Sequence, residues 1–252
     1  MNISILTPTY NRSNFLPLAI TNIKLFHGDK KNWEWCILDD GDSPYIENTK
    51  EVQELIHPVK LNYVFKKGLH QSIGQKRNSL VKQATHNILI NMDDDDCYVP
   101  NYVVYTTGIL LKTFKKGIGL VGSNQMLFIY PHDNYKVSGI SCTAVRQIHE
   151  GTMCYHKKYI NSMGGYSRSS KAEGARLIDG SENRCSNLNI FEQMICTCHD
   201  GNTIEKSQFK SKKLPFDFLE ELQKLPQFEI LQHIFQKKYD PTLEEDFETN
   251  EN

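Results

Sequence analysis

The chain has 252 residues, is 39% hydrophobic and carries a formal net charge of −1. Twelve Phe and twelve Tyr give enough apolar bulk for a packed core, which means one large domain or two small ones rather than a disordered chain. Near-neutral charge excludes general nucleic-acid binding and a polybasic membrane surface, so any anion recognition must be local.

Ile3-Ser4-Ile5-Leu6 predicts a first strand, stopped by Thr7-Pro8-Thr9-Tyr10-Asn11. A helix follows, with Ser13 as its N-cap, Pro17 in its first turn, and Phe15, Leu18, Ala19, Ile23 and Phe26 at helical spacing. Trp35-Cys36-Ile37-Leu38 is a second strand ending in Asp39-Asp40-Gly41. A helix over 46–56 leads to a third strand, Leu61-Asn62-Tyr63-Val64-Phe65. Ile73, Leu80, Val81 and Ala84 mark the next helix, Ile88-Leu89-Ile90-Asn91-Met92 a fourth strand, and Val103, Thr107, Leu110, Leu111 and Phe114 a further helix. Strands alternating with helices of this length require crossover connections, so the fold class is α/β with a mostly parallel sheet.

The pattern loosens after residue 118. Gly119-Leu120-Val121-Gly122, Met126-Leu127-Phe128-Ile129-Tyr130, Gly151-Thr152-Met153-Cys154-Tyr155 and Ile190-Phe191-Glu192-Gln193-Met194-Ile195 read as strands. The segment 214–239 reads as peripheral helix, and an acid-rich stretch over 239–252 as a frayed tail. The expected organisation is one domain over 1–238: a ligand-binding half to about 117, a mixed half over 118–206, then C-terminal helices. No signal peptide and no membrane-spanning run of about 20 apolar residues is visible. Cysteines 36, 97, 142, 154, 185, 196 and 198 show no disulfide framework, and Cys196-Thr197-Cys198-His199 lacks the second pair a zinc site needs. Reduced thiols and a cytoplasmic location are the expectation.

Four aspartates, Asp93, Asp94, Asp95 and Asp96, follow the fourth strand directly. Ligands of open α/β sheets bind just beyond the carboxyl ends of strands. Because side chains alternate along a strand, Asp93 and Asp95 can point the same way. Two carboxylates about 5 Å apart repel by roughly 3 kcal/mol at an effective dielectric near 20. A cluster placed there therefore calls for a cation, and oxygen ligands favour Mg²⁺ or Mn²⁺, ions that commonly carry phosphates. The alternative is a solvated acidic loop, where the repulsion falls to about 1 kcal/mol or less.

Three strand ends share one edge of such a sheet: Thr7 to Arg12, Asp39-Asp40, and the aspartate run. With Ile-Leu-Thr-Pro-Thr-Tyr-Asn-Arg at 5–12, Ile-Leu-Asp-Asp-Gly-Asp at 37–42, Gly-Gln-Lys-Arg-Asn at 74–78 and Met-Asp-Asp-Asp-Asp at 92–96, the chain resembles the inverting family 2 glycosyltransferases of GT-A fold. The resemblance is good over about residues 1–100 and thinner to about 206.

It implies a GT-A type α/β fold with a Rossmann-like nucleotide half and a smaller acceptor-side region. It also implies transfer of a sugar from a nucleotide donor, a UDP-sugar, to a hydroxyl on a glycan or other acceptor, with Mn²⁺ (or Mg²⁺) as cofactor. By the same resemblance Asp95 is a metal ligand, Asp93 serves the ribose or the metal, and Asp94 and Asp96 support them. Asp40, beside Asp39, would contact the base. A carboxylate can accept from a uracil imide N–H. Thr7, Pro8 and Tyr10 would form the pocket floor, and Arg77 and Arg12 would reach base or phosphates. His199, before Asn202-Thr203, would complete the metal's coordination, and Lys206 would neutralise phosphate charge.

An acid must deprotonate the acceptor hydroxyl in a single displacement. The family shows an acidic pair soon after a Gly-Gly turn. Here Gly164-Gly165-Tyr166 is the turn and Glu173 takes the base role, with Asp179 and Glu182 as alternates. The second acid of the pair is replaced by Gly174. A nucleotidyltransferase would instead carry a Gly-rich phosphate loop after the first strand, where Thr7-Pro8-Thr9-Tyr10 stands. A binding module without turnover is the third reading, and Gly174 is its argument.

Overall fold

The computed structural model describes residues 1–210, 212 and 218–241. Eleven strands and seven α-helices alternate through most of these residues. In chain order they are β1 (Ile3–Thr9), α1 (Leu16–Leu25), β2 (Trp33–Asp39), α2 (Thr49–Ile56), β3 (Lys60–Phe65), α3 (Ile73–Gln83), β4 (Ile88–Asn91), β5 (Cys97–Tyr98) and α4 (Tyr102–Phe114). Then come β6 (Leu120–Gly122), β7 (Gln125–Tyr130), β8 (Lys136–Ser141), β9 (Cys154–His156), α5 (Lys157–Ser162), β10 (Cys185–Asn187), β11 (Met194–Thr197), α6 (Leu219–Gln223) and α7 (Pro226–Ile234).

The central sheet has seven strands in the order β10-β6-β9-β4-β1-β2-β3. β1 pairs in parallel with β2 and β4, and β2 with β3, while β9 runs antiparallel between β4 and β6. A second sheet, β5-β11-β7-β8, is mixed.

Alternation along the strands splits the core in two. Ile3 and Ile5 of β1, Trp33, Trp35 and Ile37 of β2, and Ile88 and Ile90 of β4 pack with Leu18 and Ile23 of α1, Val52 of α2, Leu110 of α4 and Leu231 of α7. Leu6, Cys36, Leu38 and Leu89 point the other way, onto Leu80 and Val81 of α3 and Tyr159 and Ile160 of α5. Both sheet faces are therefore covered, which is why these strands read as continuous apolar runs.

Several expectations need correction. Ser13 makes no side-chain cap; Ser13–Phe15 is a 3₁₀ turn, and α1 starts at Leu16 with Pro17 in its first turn. The strand expected at 151–155 is a 3₁₀ turn, Glu150–Thr152, followed by β9. The one expected at 190–195 is likewise a 3₁₀ turn, Ile190–Glu192, followed by β11. Short β-branched and apolar runs do not by themselves separate a strand from a turn that packs inward. The 214–239 segment, described from 218, forms the helices α6 and α7, but they are not peripheral: Leu219, Leu222, Phe228 and Leu231 lie in the core. Gln227 is buried there, donating to the Tyr98 carbonyl at 3.0 Å. At the start of the stretch expected to fray over 239–252, Asp240 instead exchanges hydrogen bonds with Asn134 at 2.7 and 2.8 Å; residues 242–252 lie outside the described residues. All seven cysteines are free thiols.

Candidate active site

The carboxyl ends of β1 and β4 open on a cavity of about 360 Å³. Its walls include Pro8 and Thr9 at the end of β1, Tyr10 and Arg12 just beyond it, Lys76 and Arg77 of α3, and all four aspartates. The far side is built by His149, Glu150, Ala172 and Glu173, and by Cys196, Gly201, Asn202 and Lys206. Volumes of this order hold small ligands and cofactors.

The Gly-Gln-Lys-Arg-Asn motif at 74–78 assembles much of this site. Gly74 lies so close to the 167–169 segment that a Cβ would stand 1.8 Å from the Ser167 carbonyl oxygen. Ser72 and Gln75 form a capping box that starts α3. That start puts Lys76 and Arg77, the fourth and fifth residues of α3, at the cavity. Lys76 Nζ donates to Asp40 at 2.8 Å and to the Thr9 carbonyl at 2.9 Å. Arg77 donates through Nη2 to Asp93 at 2.9 Å and through Nε to Glu173 at 3.0 Å. Asn78 exchanges hydrogen bonds with the Tyr166 backbone at 2.8 and 2.9 Å, which anchors the Gly-Gly turn.

Asp94, Asp95 and Asp96 are buried and Asp93 is half-buried, and each is held by hydrogen bonds rather than left to solvent. Asp93 faces Arg77, and its backbone N–H donates to Tyr98 Oη at 2.8 Å. Asp94 accepts from Thr9 Oγ1 and from Arg12 at 3.1 Å. Asp95 accepts from Arg12 at 2.6 Å, lies 3.0 Å from His199 Nε2, and receives Asn202 Nδ2 at 3.4 Å. Asp96 accepts the Thr197 backbone N–H at 2.9 Å and has Lys206 as its nearby cation. The mutual repulsion is thus offset chiefly by one guanidinium on each side. Asp93 and Asp95 consequently take different partners instead of sharing one.

The electrostatics follow the partners. Burial and the neighbouring Asp95 push Asp94 up to about 6, against the pull of Arg12. Burial and Asp95 push Asp96 up to about 8. Burial would raise Asp95 too, but Arg12 and His199 outweigh it and hold that carboxyl well below the usual range. Lys206 Nζ sits 2.6 Å from Cys196 Sγ and is raised by that sulfur and by Asp96 despite its burial.

Four expected contact residues do not border the cavity. Thr7 is fully buried two positions inside the strand edge, donating to the Met92 carbonyl at 2.8 Å and accepting from Trp35 Nε1 at 2.8 Å; Thr9 takes its place on the wall. Asp39 is saturated by the backbone N–H of Gly41 and Tyr45 and by Tyr63 Oη, at 2.7–2.9 Å, and so pins its own loop. Asp40 sits behind the wall, accepting from Lys76 and from the Gln71 backbone N–H at 2.5 Å. His199 stands behind Asp95, its ring 4.8 Å from that of Phe15. Thr9, Lys76, His149, Glu150, Asn202 and Lys206 face or abut the cavity, and of these only Lys206 was given a role from sequence. His149 Nδ1 is buried with no hydrogen-bond partner among the described residues, and burial, with Lys206 nearby, pushes the imidazole down to about 4. Nothing in its sequence neighbourhood marks it.

The glycosyl transferase family 2 model matches residues 4–140, more than half of the chain, so the chain belongs to that family. Its architecture is that of the GT-A glycosyltransferases. Similar solved structures include Staphylococcus aureus TarS 1–349 in complex with UDP-GlcNAc: 14% identity, 93% of this chain, 72% of that one, TM-score 0.58. Another is the mannosyltransferase PcManGT from Pyrobaculum calidifontis in complex with GDP-Man and Mn²⁺, at 13% identity and TM-score 0.54. The chain is matched over 82% of its own length there and spans 58% of that structure, and it spans 37% of the longer S. aureus TarS structure. No curated protein matches it by sequence. Among the described residues, no helix is long and apolar enough to cross a membrane.

Proposed function

We propose that this chain transfers a sugar from a UDP-sugar to an acceptor hydroxyl, with inversion, using Mn²⁺ or Mg²⁺. One observation carries the reading: a single cavity joins a cation-lined acidic wall, at the ends of β1 and β4, to a pair of glutamates on the opposite side. The first wall suits a nucleoside diphosphate and the second an incoming hydroxyl. Residues to about 117 form the donor half and 118–206 the acceptor half.

Tyr10 and Pro8 flank the base. Asp93 serves the ribose, and Arg12, Arg77 and Lys206 supply positive charge for the diphosphate. Among the described residues, no group of three or more His, Cys, Asp or Glu side chains is arranged around one point. Asp95 and His199, 3.0 Å apart, nonetheless offer an oxygen and an imidazole nitrogen at one place, where Arg12 now supplies the positive charge. These two residues fit a divalent cation whose remaining ligands come from diphosphate and water. Such a cation stabilises the negative charge of the departing diphosphate. In the displacement the acceptor O–H bond breaks and its oxygen bonds the anomeric carbon. The bond from that carbon to the diphosphate oxygen breaks with its electron pair, and a glutamate takes the proton.

A panel of nucleotide sugars with and without Mn²⁺, read by thermal shift and UDP release, tests this. A UDP-sugar should raise the melting temperature in a Mn²⁺-dependent way, and Asp95→Ala should abolish both that dependence and turnover. Equal stabilisation by every nucleotide, or full activity in Asp95→Ala, overturns the assignment.

A further inference from the structure

We propose that Glu150 is the carboxylate that takes the proton from the attacking hydroxyl, and that Glu173 is a positioning residue holding Arg77. The inference rests on the transferase reading above and deepens it.

Both glutamates line the cavity, but their situations differ. Glu173 is 5% exposed and is tied to Arg77 Nε at 3.0 Å, and its backbone carbonyl accepts the Ser167 N–H at 3.0 Å. The same arginine bridges it to Asp93 at 2.9 Å, so this carboxylate is already committed to a buried ion pair. Glu150 is partly exposed at the cavity wall and, among the described residues, pairs with no cation. Its carboxylate is held by backbone N–H groups, that of Gly174 at 3.1 Å from Oε1 and its own, rather than by a side-chain cation.

Gly174 makes room for this arrangement. Its φ of −79° is ordinary backbone, so conformational freedom does not explain the glycine. Space does: a Cβ there would stand 2.7 Å from Glu150 Cγ, 2.7 Å from Met153 Cε and 3.1 Å from Glu150 Oε1. The carboxylate of Glu150 therefore fills the volume that a side chain at 174 would claim, beside Glu173.

The backbone holds it there firmly. Asn91 Nδ2 donates to the Glu150 carbonyl at 2.7 Å, His149 N–H to the Ser123 carbonyl at 2.8 Å, and Thr152 closes the turn onto the His149 carbonyl. The charged and titratable groups around Glu150 include Glu173, Arg77 and its chain neighbour His149. Burial and the like charge of Glu173 push Glu150 up to about 7, with Arg77 opposing. A base titrating near neutrality suits proton removal at physiological pH.

The step balances simply. The hydroxyl O–H bond breaks toward a Glu150 carboxylate oxygen while the hydroxyl oxygen bonds the anomeric carbon. The diphosphate leaves with the electron pair of the bond that breaks, and Glu150 later gives its proton to water.

The test uses the full chain with Mn²⁺, UDP-GlcNAc, UDP-glucose or UDP-galactose as donor, and glycerol as the hydroxyl source. UDP release gives turnover, and calorimetry with UDP gives affinity. Glu150→Gln should lower turnover by about 100-fold or more with UDP affinity unchanged. Sodium azide, a nucleophile with no proton to lose, should restore UDP release in this variant and yield a glycosyl azide. Glu150→Asp, which keeps the carboxylate, should recover part of the rate. Glu173→Gln should lose turnover with no rescue by azide. Wild-type turnover in Glu150→Gln, or azide rescue in Glu173→Gln and not in Glu150→Gln, overturns the proposal. Wild-type protein that binds UDP but releases none from any of the three donors overturns the transferase reading, and this inference with it.

Discussion

Arg77 and Glu173 are 96 positions apart in the chain and 3.0 Å apart in the fold. The same guanidinium reaches Asp93 at 2.9 Å, so one side chain ties the acidic wall after β4 to the acceptor-side loop. Arg77 is 3% exposed, and water replaces it poorly. Arg77→Ala should therefore leave two carboxylates facing each other without a cation, costing roughly 3 kcal/mol, read as a lower denaturant midpoint at unchanged slope. Arg77→Lys should recover only part of this, because an ammonium cannot present the two-pronged geometry. An unchanged midpoint in Arg77→Ala would show that the bridge contributes nothing net.

Gly174→Ala tests the close approach of Glu150. The added methyl would meet Glu150 Cγ and Met153 Cε at 2.7 Å. Overpacking of this kind costs about 1–3 kcal/mol, and turnover should fall with it as Glu150 is displaced. Wild-type stability and rate would mean that the loop yields freely.

Asp39 separates a structural role from a ligand-binding one. Its carboxylate accepts three hydrogen bonds and does not border the cavity. Asp39→Asn turns an N–H₂ toward donors and should destabilise the fold by about 1–3 kcal/mol. UDP affinity of the folded fraction, measured by calorimetry, should stay near wild type. A large affinity loss at unchanged stability would restore the direct contact with the base.

His149 predicts a pH dependence of stability. Burial pushes its pKa down to about 4 in the fold, below an unfolded value near 6.5. Between those values the unfolded chain binds more protons, so this residue's contribution grows as pH rises and is lost as pH falls from about 6.5 toward 4. The limiting slope for one proton is about 1.4 kcal/mol per pH unit. The stability of His149→Gln, measured by urea unfolding across this range, should show a shallower slope than wild type; parallel curves would exclude it.

The sequence by itself determined the α/β alternation, the parallel central strands and the edge where the site lies. Those follow from local information: apolar runs of fixed length, Pro and Gly stops, and a capping box at Ser72. It also placed Pro8, Tyr10, Arg12, Arg77, Asp93, Asp94, Asp95 and Glu173 on what proved to be one cavity. The tertiary structure alone decided which acids face that cavity and which serve the scaffold. Thr7, Asp39 and Asp40 stand in the same motifs but lie behind the wall, because an offset of a residue or two along a strand end moves a side chain from the pocket into the packing beneath it. His149 and Glu150 carry no local signal; a 3₁₀ turn more than 50 residues beyond the aspartates brings them in. Whether a carboxylate meets a guanidinium, a backbone amide or open cavity depends on segments distant in the chain, and that pairing sets its charge and its chemistry.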